Sequence, residues 1–150
     1  MNKYKLLVNK SINVAGKKLY RIEALKDFGR VKKGNLGGYI QSESNLSQNG
    51  NAWVFDDAKV YDNAWVFDDA KVFDNAKVCG KAKVFDNARV FDAAVVCGNA
   101  KVYGSARVTD NAKVSDDARV AVFYDWSDYN DMATQWNVNA SKRLITMNAL

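Results

Sequence analysis

The chain has 150 residues, 48% of them hydrophobic, with 22 Lys and Arg against 17 Asp and Glu and no histidine. That length supports one globular domain and excludes two cores joined by a linker. No stretch reaches the ~18 to 20 uncharged apolar residues of a membrane span, and the opening MNKYKLLVNKS is too short in apolar residues for a secretory signal, so a cytoplasmic location is expected.

In chain order, residues 3–9 (KYKLLVN) and 18–26 (KLYRIEALK) read as strands joined by a turn near Ala15-Gly16. Residues 1–50 hold ten Lys and Arg against three acids, whereas residues 51–120 hold ten against eleven and residues 121–150 two against three. Lys17, Lys18, Arg21, Lys26, Arg30, Lys32 and Lys33 cluster in the first segment. Any attraction for nucleic acid or another acidic partner therefore belongs there, against the plainer reading of a solvated basic face.

From Asn51 the chain runs through twelve uninterrupted hexads: NAWVFD, DAKVYD, NAWVFD, DAKVFD, NAKVCG, KAKVFD, NARVFD, AAVVCG, NAKVYG, SARVTD, NAKVSD, DARVAV. Position two is Ala and position four Val in all twelve; position three is Lys or Arg in nine, and position five is aromatic in seven. A short fixed period marks a stacked solenoid. On a helix, positions two and four would lie about 200° apart and share no buried face; on a strand they share one. Ala and Val then point inward, the basic and position-five residues outward, and the D-N, D-D and G-N pairs turn the corners, where Asp, Asn and Gly tolerate left-handed backbone angles. An antiparallel meander could use the same turns, but it would not explain why Ala and Val never exchange places. After the repeat, AVFYDWSDY breaks the period with aromatics, and SKRLITMNAL reads as strand or helix.

The pattern A-x-V-x-G/D-N resembles the hexapeptide repeat of left-handed parallel β-helix proteins, in which three hexads form one triangular coil. The resemblance alone supplies the handedness. Residues 24–64 resemble the start of a YdcK-like family of bacterial and prophage-encoded hexapeptide-repeat proteins, through Asp27-Phe28, Gly37-Gly38-Tyr39-Ile40 and Gly50-Asn51-Ala52-Trp53. Together these imply an all-β fold, a left-handed parallel β-helix of about four triangular coils over residues 51–122. A β cap at 1–50 and a C-terminal cap at 123–150 would close its ends. Four coils rising about 4.8 Å each give a prism of roughly 19 Å.

The acyltransferases that this resemblance brings to mind use a histidine base and carry a protruding loop; this chain has neither. No nucleophile stands beside an evident base, and no catalytic residue, cofactor or metal is expected. Eighteen-residue coils would stack Cys79 on Cys97 with Cα atoms ~4.8 Å apart, within disulfide range, yet two cysteines without an export signal are expected to be free thiols filling a column. Corner hydrogen bonding accounts for the column of Asp56, Asp74 and Asp92 without calcium.

Placing every third hexad on one face gives a first face with Trp53, Lys71, Arg89 and Arg107 beside Phe55, Phe73 and Phe91, and a third with Trp65, Lys83, Lys101 and Arg119 beside Phe67, Phe85 and Tyr103. The second carries Lys59, Lys77, Val95 and Lys113 beside Tyr61, Cys79, Cys97 and Ser115. Trp53, Phe55, Phe73, Phe91, Trp65, Phe67, Phe85 and Tyr103 are thus expected as partner or subunit interface, and Lys71, Arg89, Arg107, Lys17, Lys18, Lys32 and Lys33 as a basic contact surface. The plainer alternative is that the ladders only stabilise the stack. The expected protein is a non-enzymatic, phage or prophage-type binding module in a bacterial cytoplasm, a dimer or trimer. It would contact a host protein, inhibition of a defence protein being one role. Alternatives are a histidine-independent transferase at a subunit seam and a binder of single-stranded nucleic acid or an acidic ligand.

Overall fold

The computed structural model describes residues 1–123, so all of the expected C-terminal cap beyond Phe123 lies outside the described residues. Three strands precede the repeat: β1 (Tyr4–Val14), β2 (Lys17–Ala24) and β3 (Leu36–Ile40), followed by a 3-10 turn at Glu43–Asn45. Each hexad then supplies one short strand: β4 (Trp53–Val54), β5 (Lys59–Val60), β6 (Trp65–Val66), β7 (Lys71–Val72), β8 (Lys77–Val78), β9 (Lys83–Val84), β10 (Arg89–Val90), β11 (Val95–Val96), β12 (Lys101–Gly104), β13 (Arg107–Val108), β14 (Lys113–Val114) and β15 (Arg119–Val122).

Every third strand pairs in parallel, with a step of eighteen residues: Trp53 with Lys71, Lys71 with Arg89, Arg89 with Arg107. The result is three sheets, one per face: β4-β7-β10-β13, β6-β9-β12-β15, and a seven-stranded sheet in which β1, β2 and β3 join β5-β8-β11-β14. The chain is a parallel β-solenoid of about five turns. The stack begins before the first regular hexad, because Ile40 pairs with Val60 and Leu46 bridges to Val66. Both steps are twenty residues, so this first turn is two residues longer than the rest. Asn45 fits it in: its amide donates to Ala64 O (2.8 Å) and Asp62 O (3.2 Å), and its carbonyl accepts Gln41 N–H (3.0 Å) and Ser42 N–H (2.9 Å). All four of that side chain's hydrogen-bonding positions are used.

The interior is the Ala and Val columns, all buried from Ala52 to Val122. Ala stands beside each corner, where two faces converge and leave no room; branched Val fills the wider strand centre and suits extended backbone. Corners close with a hydrogen bond from the position-two N–H to the preceding position-five carbonyl, as in Ala76 to Phe73 and Ala88 to Phe85. Position six takes positive φ at eight aspartates, from Asp56 to Asp116, and at Gly80, Gly98 and Gly104.

The hairpin β1-β2 turns at Ala15-Gly16, both at positive φ, as a two-residue hairpin demands. β1 runs further than the strand expected over residues 3–9, reaching Val14 past an irregularity between Leu7 and Ser11. Lys3, Tyr4 and Phe28 then close the open end of the stack. Tyr4 and Phe28 meet Trp53 edge-on at 6.0 and 5.2 Å. β3 can lie this close only because of Gly37 and Gly38, where an added Cβ would meet Val54 O at 2.6 Å and Ala58 O at 2.5 Å. The buried Lys3 ammonium donates to Ala52 O (2.8 Å) and Gly50 O (3.3 Å). No helix among the described residues is long and apolar enough to cross a membrane.

Val84 is buried on all sides by its column. Val84→Asp should lose about 4 kcal/mol or more, because it puts a charge where nothing can pair it, whereas Lys83→Ser, one residue along and facing outward, should change stability by less than about 0.5 kcal/mol. Thermal melts of the two variants check this.

Burial, assisted by Lys26 and opposed by Asp69, pulls the Lys3 ammonium from 10.5 down to about 8. Between these values the unfolded chain binds more protons at this site, so Lys3's contribution to stability grows as pH rises. Tyr4, pushed up chiefly by burial, opposes this only once an unfolded tyrosine ionises, near 10. Wild type should therefore gain about 1 to 2 kcal/mol on Lys3→Met between about pH 7.5 and about pH 9.5, read by urea unfolding.

Candidate functional site

The three faces of the solenoid are chemically unlike, and the N-terminal cap makes them so. The second face is covered: Leu19, Ile12 and Val14 of the hairpin pack over Tyr61, Cys79, Cys97 and Tyr39. Position five there is small at Cys79 and Cys97, under the hairpin. The two cysteines are joined, with Cα atoms 4.7 Å apart, so the expected free thiols are corrected to a disulfide between adjacent coils. The stacking that brings them together also holds them within bonding range. A bond closing a loop of this size stabilises by on the order of 3 kcal/mol through the unfolded chain.

Two of the hairpin's cations are also consumed on this face. Lys17 pairs with Asp62, and Arg21 reaches Asp57 (3.1 Å), Gly37 O (2.7 Å) and the Tyr39 ring. Burial opposes the charge on Asp62, but the hydrogen bonds from Lys17 and from the Gly80 amide, with the Lys17 charge, hold its carboxyl below the usual value. Lys59 is lowered by burial and by Lys77 in the same column. Of the basic contact residues expected from the sequence, Lys17 is thus an internal tie. Lys18, Lys32 and Lys33 are exposed, Lys32 lying 3.9 Å from Asp27.

The first face carries Phe55, Phe73 and Phe91 beside Lys71, Arg89 and Arg107. Phe73 and Phe91 stack at 4.6 Å and 4°, but Phe55 meets Phe73 at 6.4 Å and 84°. Trp53, expected at the outer edge of this ladder, is instead 1% exposed. Tyr4, Phe28 and β3 enclose it, so it anchors the cap and leaves the interface set.

The third face carries the unbroken ladder. Trp65 stacks on Phe67 at 3.9 Å, Phe67 on Phe85 at 4.9 Å and Phe85 on Tyr103 at 5.1 Å, the last two pairs within 7° of parallel, and Phe123 meets Tyr103 edge-on at 5.9 Å. Trp65 is 41% exposed and Phe123 50%. Phe123 was not expected in the ladder, because it lies one residue past the last regular hexad. Its signal is that it stands twenty residues beyond Tyr103, at the end of the same face.

The acidic columns have a structural task. Six corner carboxylates accept the backbone N–H of the corner one coil on: Asp56 from Asp74 (3.1 Å), Asp74 from Asp92 (3.1 Å), Asp92 from Asp110 (3.0 Å), Asp62 from Gly80 (3.0 Å), Asp68 from Asp86 (3.2 Å) and Asp86 from Gly104 (2.9 Å). The expected corner hydrogen bonding is present, and it runs between coils. Aspartate meets both needs of the position, a tolerated left-handed backbone and an anionic acceptor.

This solenoid, its three faces set by eighteen-residue coils, matches the YdcK Beta solenoid repeat over residues 82–98. The repeat is YdcK-like, in a chain that folds as a repeat β-solenoid. No curated protein matches the sequence significantly. Residues 82–98 run from Ala82 through Gly98, and so include Phe85, Arg89 and Phe91 of the two ladders.

At Asp74, Asn should cost less than about 1 kcal/mol, since it keeps the left-handed backbone and an acceptor. Gly should cost more, through the lost bond, and Ala most, about 2 to 3 kcal/mol, through the lost bond and the strain together. Denaturant unfolding of the three variants measures the order.

Proposed function

We propose that this chain is a non-enzymatic binding module of phage or prophage type, acting in the bacterial cytoplasm. It self-associates through its third face and presents its basic cap to an acidic surface on a host protein, a bacterial defence protein being the concrete case. The phage setting draws on the resemblance of residues 24–64. The self-association draws on the third-face ladder, the observation that carries the reading.

Three parallel columns support it: cations at Lys83, Lys101 and Arg119, rings from Trp65 to Phe123, and corner carboxylates at Asp68 and Asp86. None of these cations forms an ion pair among the described residues. All three columns repeat at the coil rise of about 4.8 Å. A second copy of this chain presents carboxylates at the same spacing. Rotation by a two-fold axis parallel to the solenoid lays ring on ring and each cation column over the partner's acidic column. A two-fold axis running along the strands would lay cation on cation. Charge complementarity thus selects a parallel, closed dimer.

Two observations weigh against the alternatives. The stacked rings cover one another's faces and offer mainly edges, whereas bases in single-stranded nucleic acid need ring faces to stack on. Among the described residues, the groups with displaced titration, Lys3, Tyr4, Lys59, Tyr61 and Asp62, lie under the cap and hairpin and are engaged there. For the host partner, Lys18, Lys26 and Lys33 remain exposed and without an ion pair among the described residues, with Lys32 only loosely paired.

Light scattering tests the self-association. Wild type should have twice the chain mass of 16.7 kDa, Phe67→Ser/Phe85→Ser the mass of one chain, and Phe73→Ser, on the first face, the dimer mass. A wild-type monomer overturns self-association, and a dimer indifferent to the third-face double variant removes the ladder from the contact.

A further inference from the structure

The cap and the first face enclose a cleft of about 590 Å³, within the range of small-molecule sites. One wall is the turn from Phe28 to Val31. It is closed on itself by Phe28 N–H to Val31 O (3.0 Å) and Val31 N–H to Phe28 O (2.8 Å), and fixed by the Phe28 ring against Trp53. The opposite wall is built by Phe55, Lys71, Phe73 and Arg89, and Arg30 stands at the turn. The wall is therefore set on rigid elements from both sides.

The charges in this cleft do not balance internally. Its two carboxylates are engaged with backbone amides, Asp56 with Asp74 N–H (3.1 Å) and Asp69 with Asn51 N–H (3.2 Å). Arg30, Lys71 and Arg89 form no ion pair among the described residues. Lys71 reaches only the main-chain oxygen of Asp69, at 3.4 Å. Three cations therefore line the cleft against two carboxylates, an excess of one positive charge with none of the three cations held in an ion pair among the described residues, next to apolar surface from Phe55, Phe73 and Val31. The aromatic ladder is also open at this point, since Phe55 and Phe73 are not stacked while Phe73 and Phe91 are.

We propose that this cleft binds a small organic anion carrying a planar ring, its phosphate or carboxylate held by Arg30, Lys71 and Arg89 and its ring lying against Phe55 and Phe73. Guanidinium groups suit both anions because they donate two parallel hydrogen bonds. Pairing with a desolvated ring adds apolar burial that a bare anion cannot provide. The site lies on a different face from the self-association ladder and stands or falls apart from it.

The test is a titration of the full ¹⁵N-labelled chain, following backbone amide shifts, with four probes. Phenyl phosphate and phenylacetate carry ring and anion, benzyl alcohol the ring alone, and inorganic phosphate the anion alone. The expected result is that a ring-bearing anion binds at least about tenfold tighter than either half, with shifts at residues 29–31, 55, 71, 73 and 89. The tighter of phenyl phosphate and phenylacetate identifies the anion the site is built for. Arg89→Gln should weaken it about tenfold or more, and Arg107→Gln, in the same column but outside the cleft, less than about twofold. Equal losses in the two variants would reveal diffuse charge attraction and overturn the proposal, as would inorganic phosphate binding as tightly as phenyl phosphate, or an absence of shifts at those residues. Exposed Arg89 makes no internal tie, so its variant tests binding rather than folding.

Discussion

The structure depends on one constraint, the backbone bond from hexad positions three and five to the carbonyl seventeen residues on, as from Lys59 to Ala76 (2.9 Å) and from Phe73 to Val90 (3.0 Å). Parallel strands so joined lie about 4.8 Å apart, and every side chain sits over the residue at its own hexad position one coil on. Like meets like. For Ala and Val this is a gain, because identical shapes pack into a continuous interior. For Asp it is a difficulty, since unit charges at that spacing repel by about 1 kcal/mol even at the dielectric of water. The solenoid answers by turning corner carboxylates onto the next coil's amides. The periodicity that creates the charge column also places a donor beneath six of its carboxylates, from Asp56 to Asp92.

A stack of equal coils has three equal faces and two open ends, and binding a particular partner needs neither. The cap removes the equivalence. Lys3, Tyr4, Phe28, Gly37 and Gly38 belong to no hexad, and they close one end around Trp53. The hairpin then folds down over the second face, where Tyr61, Cys79 and Cys97 receive Leu19. The turn at Phe28–Val31 overhangs the first face and converts part of a flat ladder into a cleft. Among the described residues, the third face is the one left as an unbroken, uncovered ladder. Function in this solenoid is therefore written by non-periodic residues acting on periodic ones.

That division also explains what was legible in the sequence. Inward Ala and Val, left-handed corners, the membership of each face and the adjacency of Cys79 and Cys97 all follow from period and side-chain direction, and all are present. Trp53 and Trp65 show the limit. Both occupy position three of an identical NAWVFD hexad, yet one is buried in the cap and the other exposed on the ladder. Nothing within the hexads distinguishes them; the difference lies in Tyr4 and Phe28, distant in sequence. Lys17 likewise counts among exposed cations until the hairpin's fold brings it onto Asp62. The extra turn was missed because its twenty-residue step and Asn45 disguise the eighteen-residue rule. The disulfide was legible as geometry, and expectation about its chemistry pointed the other way.

The contrast between the second and third faces carries the argument for a partner furthest. Where the hairpin covers position five, the column narrows from Tyr61 to the two cysteines, as an apolar cover of fixed thickness requires. Where nothing in the described chain covers it, the column stays wide, with Phe67, Phe85 and Tyr103. Rings stacked within 7° already gain what they can from one another through their faces. Their edges, with Trp65 and Phe123 at the two ends, still meet water. An exposed aromatic column of this kind is what the proposed self-association rests on, and the equal spacing of its charged columns is the spacing a second copy would present.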